Sequence, residues 1–263
     1  MDRTEAPSAD RLYPTGASCP FTIDRPIMRQ RWERLTFLHW RFDPPAVQRL
    51  LPPGLRVDPW HGSAWVGLIP FFMRVASPGG HQAPWASTFC ETNVRTYVVD
   101  HEGRPGIWFF SLDASRLGAV TAARTTYRLP YFWSSMRLVE TGADPAEDGG
   151  RHELTYDCIR RWPGPRSATS RVRIAVSDPF DPADLDERDH FLTARWILFS
   201  AAGSRRRFAR AWHEPWPLHR VEVRAADDDL IVAAGLPRPE GPPLAHYSPG
   251  VDVEIGRPER YLR

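Results

Sequence analysis

Two kinds of residue alternate strictly from Glu91 to Val98, and this stretch organises the reading of the chain. Glu91, Asn93, Arg95 and Tyr97 share one face of the implied strand, while Thr92, Val94, Thr96 and Val98 share the other. A half-buried strand ordinarily turns its polar face to water. Here that face carries a carboxylate, an amide, a guanidinium and a phenol in one row, which is a hydrogen-bonding set. The next run, Ile107 to Asp113, is apolar and aromatic apart from Ser111 and Asp113. The two runs read as a hairpin at the centre of the fold.

Upstream of it, Arg31–Arg41 reads as a strand, and Asp43-Pro44-Pro45 as the capped start of a short helix through Leu51. Leu55–Val57 and Ser63–Met73 follow as strands around Trp60-His61-Gly62, the second apolar on both faces as buried strands are. Downstream, Ser115 is placed to cap a helix from Arg116 to Tyr127, which Pro130 ends. Further strands are expected at Met136–Glu140, His152–Arg161, Ser170–Ser177, Trp196–Ser200, Arg205–His213, His219–Arg224, Leu230–Ala234 and His246–Ile255. A short helix fits between Pro179 and Ala194. The fold class is therefore α+β: a mostly antiparallel, curved β-sheet or barrel with a few short helices. Residues 1–24 are rich in Pro, Ser, Ala and charge, lack periodicity, and read as a flexible tail, leaving 25–263 as a single domain.

Composition narrows the partners. With 42% hydrophobic residues, including 11 Trp and 13 Phe, the chain can fill a sizeable core. The formal charge of +2 implies neither a nucleic acid nor an anionic membrane as partner. Three separated cysteines and nine histidines show no metal-ligand spacing, so no metal and no cofactor are expected. No signal core and no run of about 18 apolar residues occurs, which points to a cytoplasmic protein. All 34 basic residues are arginine, so no side-chain amine exists to form a Schiff base.

Several phrases carry a resemblance. HWRFDPPAVQRLLPPGLRVDPWHGSAWVGLIPFFM (39–73), NVRTYV (93–98), GIWFFSLDAS (106–115), ARTTYRLPYFWSSM (123–136), PWPLH (215–219) and HYSPGVDVEI (246–255) resemble the bacterial domain of unknown function 2071 family, in the family's order. That family looks related to acetoacetate decarboxylase, whose curved antiparallel sheet closes over a central pocket. In the decarboxylase two lysines follow a Gly-Arg-Glu helix end and a proline. By this resemblance Arg124 stands for that arginine, Pro130 for the proline, and Tyr131-Phe132 for the lysines. The resemblance thus implies the pocket without the Schiff-base chemistry.

The candidate site follows from the row and the resemblance together. Tyr131 and Glu91 are the catalytic candidates, as proton donor and titratable partner. Arg95, Asn93, Tyr97, Arg124 and Ser111 are the binding candidates, with Arg95 the anchor for a carboxylate. Two readings of Arg95 stay open: anion anchor, or internal salt-bridge partner of Glu91. A triad of Ser111 and Asp113 with a histidine lacks the G-x-S-x-G elbow. Function divides between an enzyme acting on a small anionic or keto-type compound and a non-catalytic binding or sensing protein. Borohydride added with pyruvate should leave the chain's mass unchanged; a reduced adduct within residues 25–263, seen by peptide mass spectrometry, would overturn the exclusion of imine chemistry.

Overall fold

The computed structural model describes residues 16–76, 88–122, 129–142, 152–164, 167–202 and 205–261. The strands are β1 (Met28–Phe42), β2 (Leu55–Val57), β3 (Ala64–Ala76), β4 (Thr88–Asp100), β5 (Pro105–Ala114), β6 (Tyr131–Thr141), β7 (His152–Trp162), β8 (Thr169–Pro179), β9 (Ile197–Ala202), β10 (Arg205–His213), β11 (His219–Asp228), β12 (Leu244–Ile255) and β13 (Glu259–Arg260). Short helices are α1 (Pro44–Gln48), α2 (Leu117–Ala122), α3 (Glu187–Thr193) and α4 (Leu230–Ala233). None of the described helices is long and apolar enough to cross a membrane.

Nine strands close into a barrel in the order β5-β6-β7-β8-β11-β12-β1-β3-β4. Two of them fork. β5 runs parallel to β9 through Ile107 and Trp108, then parallel to β6 through Leu112–Ala114. β12 meets β11 at Tyr247 and β10 through Val253–Ile255. The forks let β9 and β10 close a second, smaller ring on the other face of β5, β4, β3, β1 and β12. The five shared strands therefore have a core on each side. Leu38, Val66, Leu68, Val94, Leu154 and Ile174 fill the nine-strand barrel. Leu35, Phe37, Ile69, Phe71 and Tyr97 face the smaller ring, which Phe191 and Leu192 of α3 plug. Period two sends alternate residues to the two cores, so β3 is apolar on both faces.

Some local expectations change. Leu230–Ala234, expected as a strand, forms α4 through Ala233. The Asp228 carboxylate accepts the Ile231 N–H at 2.9 Å, and Leu230 and Ile231 are fully buried. A five-residue apolar run carries no period that separates strand from helix. α2 begins at Leu117, one residue later than expected, which puts Arg116 rather than Ser115 before its first turn; the Ser115 Oγ accepts the Cys90 N–H at 3.1 Å and ties the end of β5 to β4. The expected helix from Arg116 to Tyr127 is seen as α2 up to Ala122, and its remainder lies outside the described residues. Asp43 makes no side-chain cap bond, so Pro44 at the first position starts α1. In the segment read as tail, Phe21 packs against the cluster of Leu55, Phe199 and Phe208.

The short β5–β6 seam is bridged by charge. Arg160 of β7 donates to both oxygens of Asp113, at 2.8 and 2.6 Å, and Ser134 of β6 donates to the same carboxylate at 2.7 Å. The ion-pair side chains are 1% and 0% exposed, and the guanidinium lies 3.7 Å from the Phe132 ring centroid. Arg160→Ala should destabilise the fold by about 3–5 kcal/mol, because it leaves the Asp113 charge buried and unpaired. Chemical denaturation of both proteins measures it; a loss below about 1 kcal/mol would remove the pair from the scaffold.

Candidate functional site

The polar row of β4 turns inward. Glu91, Asn93, Arg95 and Tyr97 are 2%, 6%, 5% and 0% exposed, so none is a solvated surface group. Cross-strand pairing sets their neighbours. His39 of β1 stands opposite Gly67 of β3, Gly67 opposite Arg95, and Arg95 opposite Phe109 of β5. Gly67 is the gap in that row: a Cβ there would lie 2.9 Å from His39 Nε2. Without it the imidazole could not reach across to β4. The adjacent row joins Ile69, Asn93, Leu112 and Tyr131.

Three polar groupings occupy this face. In the first, the Tyr131 hydroxyl donates to Glu91 Oε2 at 2.9 Å. Burial pushes the Glu91 carboxyl up to about 8; the Tyr131 hydrogen bond opposes this and the Asp113 charge adds to it. Burial, then the Glu91 charge, hold the Tyr131 phenol well above its ordinary range, so it stays protonated and acts as a donor. In the second, the Tyr97 hydroxyl lies 2.6 Å from His39 Nε2 and donates to the Leu192 carbonyl. Arg95 Nη2 donates to the same carbonyl at 3.2 Å, while its Nε has no partner. Among the described residues Arg95 forms no ion pair with any carboxylate, Glu91 included. Burial and the charges of Arg95 and His246 keep His39 neutral. His213 of β10 is also held neutral: burial, aided by Arg95, lowers it to about 4 against a hydrogen bond to the Glu214 carbonyl.

The third grouping sits at the start of α3. Asp186 caps the helix in a capping box with Asp189, whose Oδ2 accepts the Asp186 N–H at 3.1 Å. Asp189 Oδ1 then lies 3.2 Å from His246 Nε2 of β12. His246 pairs across strands with Phe37, a member of the smaller ring's core, and its Nδ1 is buried without a partner. Farther along, Arg195 pairs with Asp58 at 3.2 Å.

Of the expected site residues, Glu91, Asn93, Arg95, Tyr97 and Tyr131 share this face. Ser111 does not. A bulge at Phe110 inserts one residue, so Ser111 pairs with Val94 and stands on the nine-strand barrel side, away from Arg95. Arg124 lies outside the described residues. The sequence reads His39, beside Trp40 in a buried strand, as a core histidine, and it is buried. It pairs His213 with His219 at a spacing that fits no zinc signature, takes Asp184–His190 as a solvated helix start although Asp189 is buried, and singles out no role for His246; the four residues come from four separate elements. Two clefts are described: one of about 630 Å³ involves Trp133, Ile159 and Trp162, away from this face, and one of about 450 Å³ involves Trp108, Phe199 and Phe109, the cross-strand partner of Arg95.

Known proteins place the architecture. The profile of domain of unknown function 2071, described as an uncharacterized conserved protein, matches residues 29–252. The uncharacterized protein YqjF of Bacillus subtilis (strain 168) is 33% identical over 229 residues, covering 86% of this chain and 89% of that one. Among solved structures, an acetoacetate decarboxylase-like enzyme from Sphingomonas wittichii RW1 superposes with a TM-score of 0.63 at 16% identity, covering 93% and 98% of the two chains. The enduracididine biosynthesis enzyme MppR complexed with pyruvate gives 0.62 at 17%, covering 98% of each. Acetoacetate decarboxylase from Legionella pneumophila gives 0.56 at 13%, again over 98% of each. The fold is acetoacetate decarboxylase-like.

The raised carboxyl of Glu91 has a measurable sign. Its protonated form is favoured in the folded state, so the stability it contributes is full below the ordinary carboxylate range and is lost as pH rises through about 8. The wild-type stability, and with it the melting temperature, should fall between pH 5 and 9, with up to roughly 4 kcal/mol of that loss due to Glu91, and Glu91→Gln should flatten the fall. Thermal melts across this range check it, with parallel curves for the two proteins as the contrary result.

Proposed function

The chain belongs to the domain of unknown function 2071 family, and from that premise we propose that it binds a small keto-acid at Arg95 and moves a proton on it with Glu91 and Tyr131. The observation that carries this reading is the buried Arg95 guanidinium with no carboxylate partner among the described residues. The other buried arginines, Arg104, Arg160 and Arg195, each have one. An uncompensated buried cation costs several kcal/mol, and a bound carboxylate supplies the missing charge.

Glu91 and Tyr131 supply the chemistry. A carboxyl near pKa 8 exchanges protons close to neutral pH, as a general base or acid must. With its carboxylate form as base, the C–H bond beside the ligand's carbonyl breaks, the proton passes to Glu91, and the electron pair moves onto the carbonyl oxygen. Tyr131 holds Glu91 in place and keeps its own proton. The chain has no lysine, so the reaction proceeds without an imine. Pyruvate, which MppR holds in its solved complex, is the natural probe.

One observation favours the alternative of a non-catalytic binding protein. Arg95 and Tyr97 both donate to Leu192, which gives them a role in pinning α3. The two readings separate experimentally. Proton NMR in D₂O should show the protein exchanging the methyl hydrogens of pyruvate, with a rate that rises through about pH 8. Glu91→Gln should abolish exchange and keep binding. Arg95→Met should weaken pyruvate binding by about 2–5 kcal/mol. Binding without exchange would favour the sensing protein, and unchanged affinity with a sharply lower melting temperature would assign Arg95 to the scaffold.

A further inference from the structure

The two rings part at β5, and their parting leaves a slot in the wall of the sheet. β9 pairs with β5 through Trp108, and β6 takes it up at Leu112, so Phe109, Phe110 and Ser111 have no ladder partner on that side. A cleft of about 450 Å³ lies here, within the range of small-molecule sites. Its walls come from all three cores. Phe109 and Leu129 belong with the core of the smaller ring, Leu50 and Phe110 with the nine-strand barrel, and Trp108 and Phe199 with the third cluster. Backbone walls that normally separate such cores are missing where the strands diverge. Phe109 is also the cross-strand partner of Arg95, and Pro130, another lining residue, precedes Tyr131. The cleft therefore abuts both ends of the candidate site. Ser200 brings the one side-chain hydroxyl among the lining residues.

We infer that this cleft receives the apolar arm of the ligand whose carboxylate Arg95 binds, which makes the substrate class an α-keto acid with an aliphatic or aromatic substituent. The inference rests on the carboxylate reading of Arg95 given above. Pyruvate alone would leave the cleft to water against aromatic walls, whereas each methylene of a longer arm buried there tightens binding about fourfold.

Calorimetric titration of the full chain with pyruvate, 4-methyl-2-oxopentanoate and phenylpyruvate tests it. The wild type should bind the two longer acids at least tenfold more tightly than pyruvate. Ala201→Trp and Ala234→Trp fill the cleft from separate elements, and each should erase that advantage; melting curves establish that the variants fold. Equal affinity for all three acids, or an advantage that survives both substitutions, overturns the cleft assignment. Should pyruvate bind through Arg95 in that case, the site reading still stands. If none of the three acids binds, or Arg95→Met leaves all affinities unchanged, the carboxylate reading itself falls and the cleft assignment falls with it.

Discussion

The ion pair between Asp113 and Arg160 is the constraint on which the barrel depends. Because β5 forks, its parallel contact with β6 is only three residue pairs long, yet the nine-strand ring must close through it. Burying two charges costs several kcal/mol, which is recovered only when geometry is good and the remaining lone pairs are satisfied. Here the contact is bidentate, Ser134 supplies a third donor, and the Phe132 ring lies against the guanidinium. The three strands β5, β6 and β7 each contribute a partner, so the pair does what a longer ladder would otherwise do. It also reaches the candidate site. The Asp113 carboxylate faces the barrel while Glu91 faces the smaller ring, and its charge helps hold the Glu91 proton.

The shared sheet makes that coupling possible. A strand with a core on each side cannot send its polar residues to water, so β4 must satisfy them internally or leave them for a ligand. Tyr97 is satisfied by His39 and Leu192, and Glu91 by Tyr131. Arg95 is satisfied in part. Leu192 accepts one of the five N–H donors of its guanidinium, at the C-terminal end of a helix where a cation is favoured. Pinning α3 and binding an anion are thus compatible uses of one side chain. Gly67 is the enabling detail, since any Cβ there would push His39 off the row.

How far the sequence could be read follows from the same geometry. The β4 row was legible because strict alternation in a single strand fixes which residues share a face. Fold class was legible from the many short runs broken by proline. The site's second half was not, because His39, His213, His246 and Asp189 are brought together by pairing between elements up to 207 positions apart (from His39 to His246). Ser111 misled for a local reason: the bulge at Phe110 resets the alternation, and no residue in the run Trp108-Phe109-Phe110 announces it. α4 misled because Asp228, whose carboxylate accepts the Ile231 N–H, also fits a turn between strands. The forks of β5 and β12 have no sequence signature at all; they are properties of pairing.

Tyr131 is the residue through which the proposed reading departs from imine chemistry. On the proposed reading it stands where the resemblance to the decarboxylase implies a lysine, and its hydroxyl donates to Glu91. A lysine there could attack a carbonyl once its proton was lost. A phenol held well above its ordinary range by burial and by an adjacent carboxyl does neither; it can only donate. The donation goes to a carboxyl that is itself poised near neutral pH. On the proposed reading, the site has therefore exchanged a covalent step for a proton-transfer step without altering the strands that position it. Such an exchange requires something other than an imine to hold the substrate. In this site the group with charge to spare for that task is Arg95, on the same strand face and two alternations from Glu91.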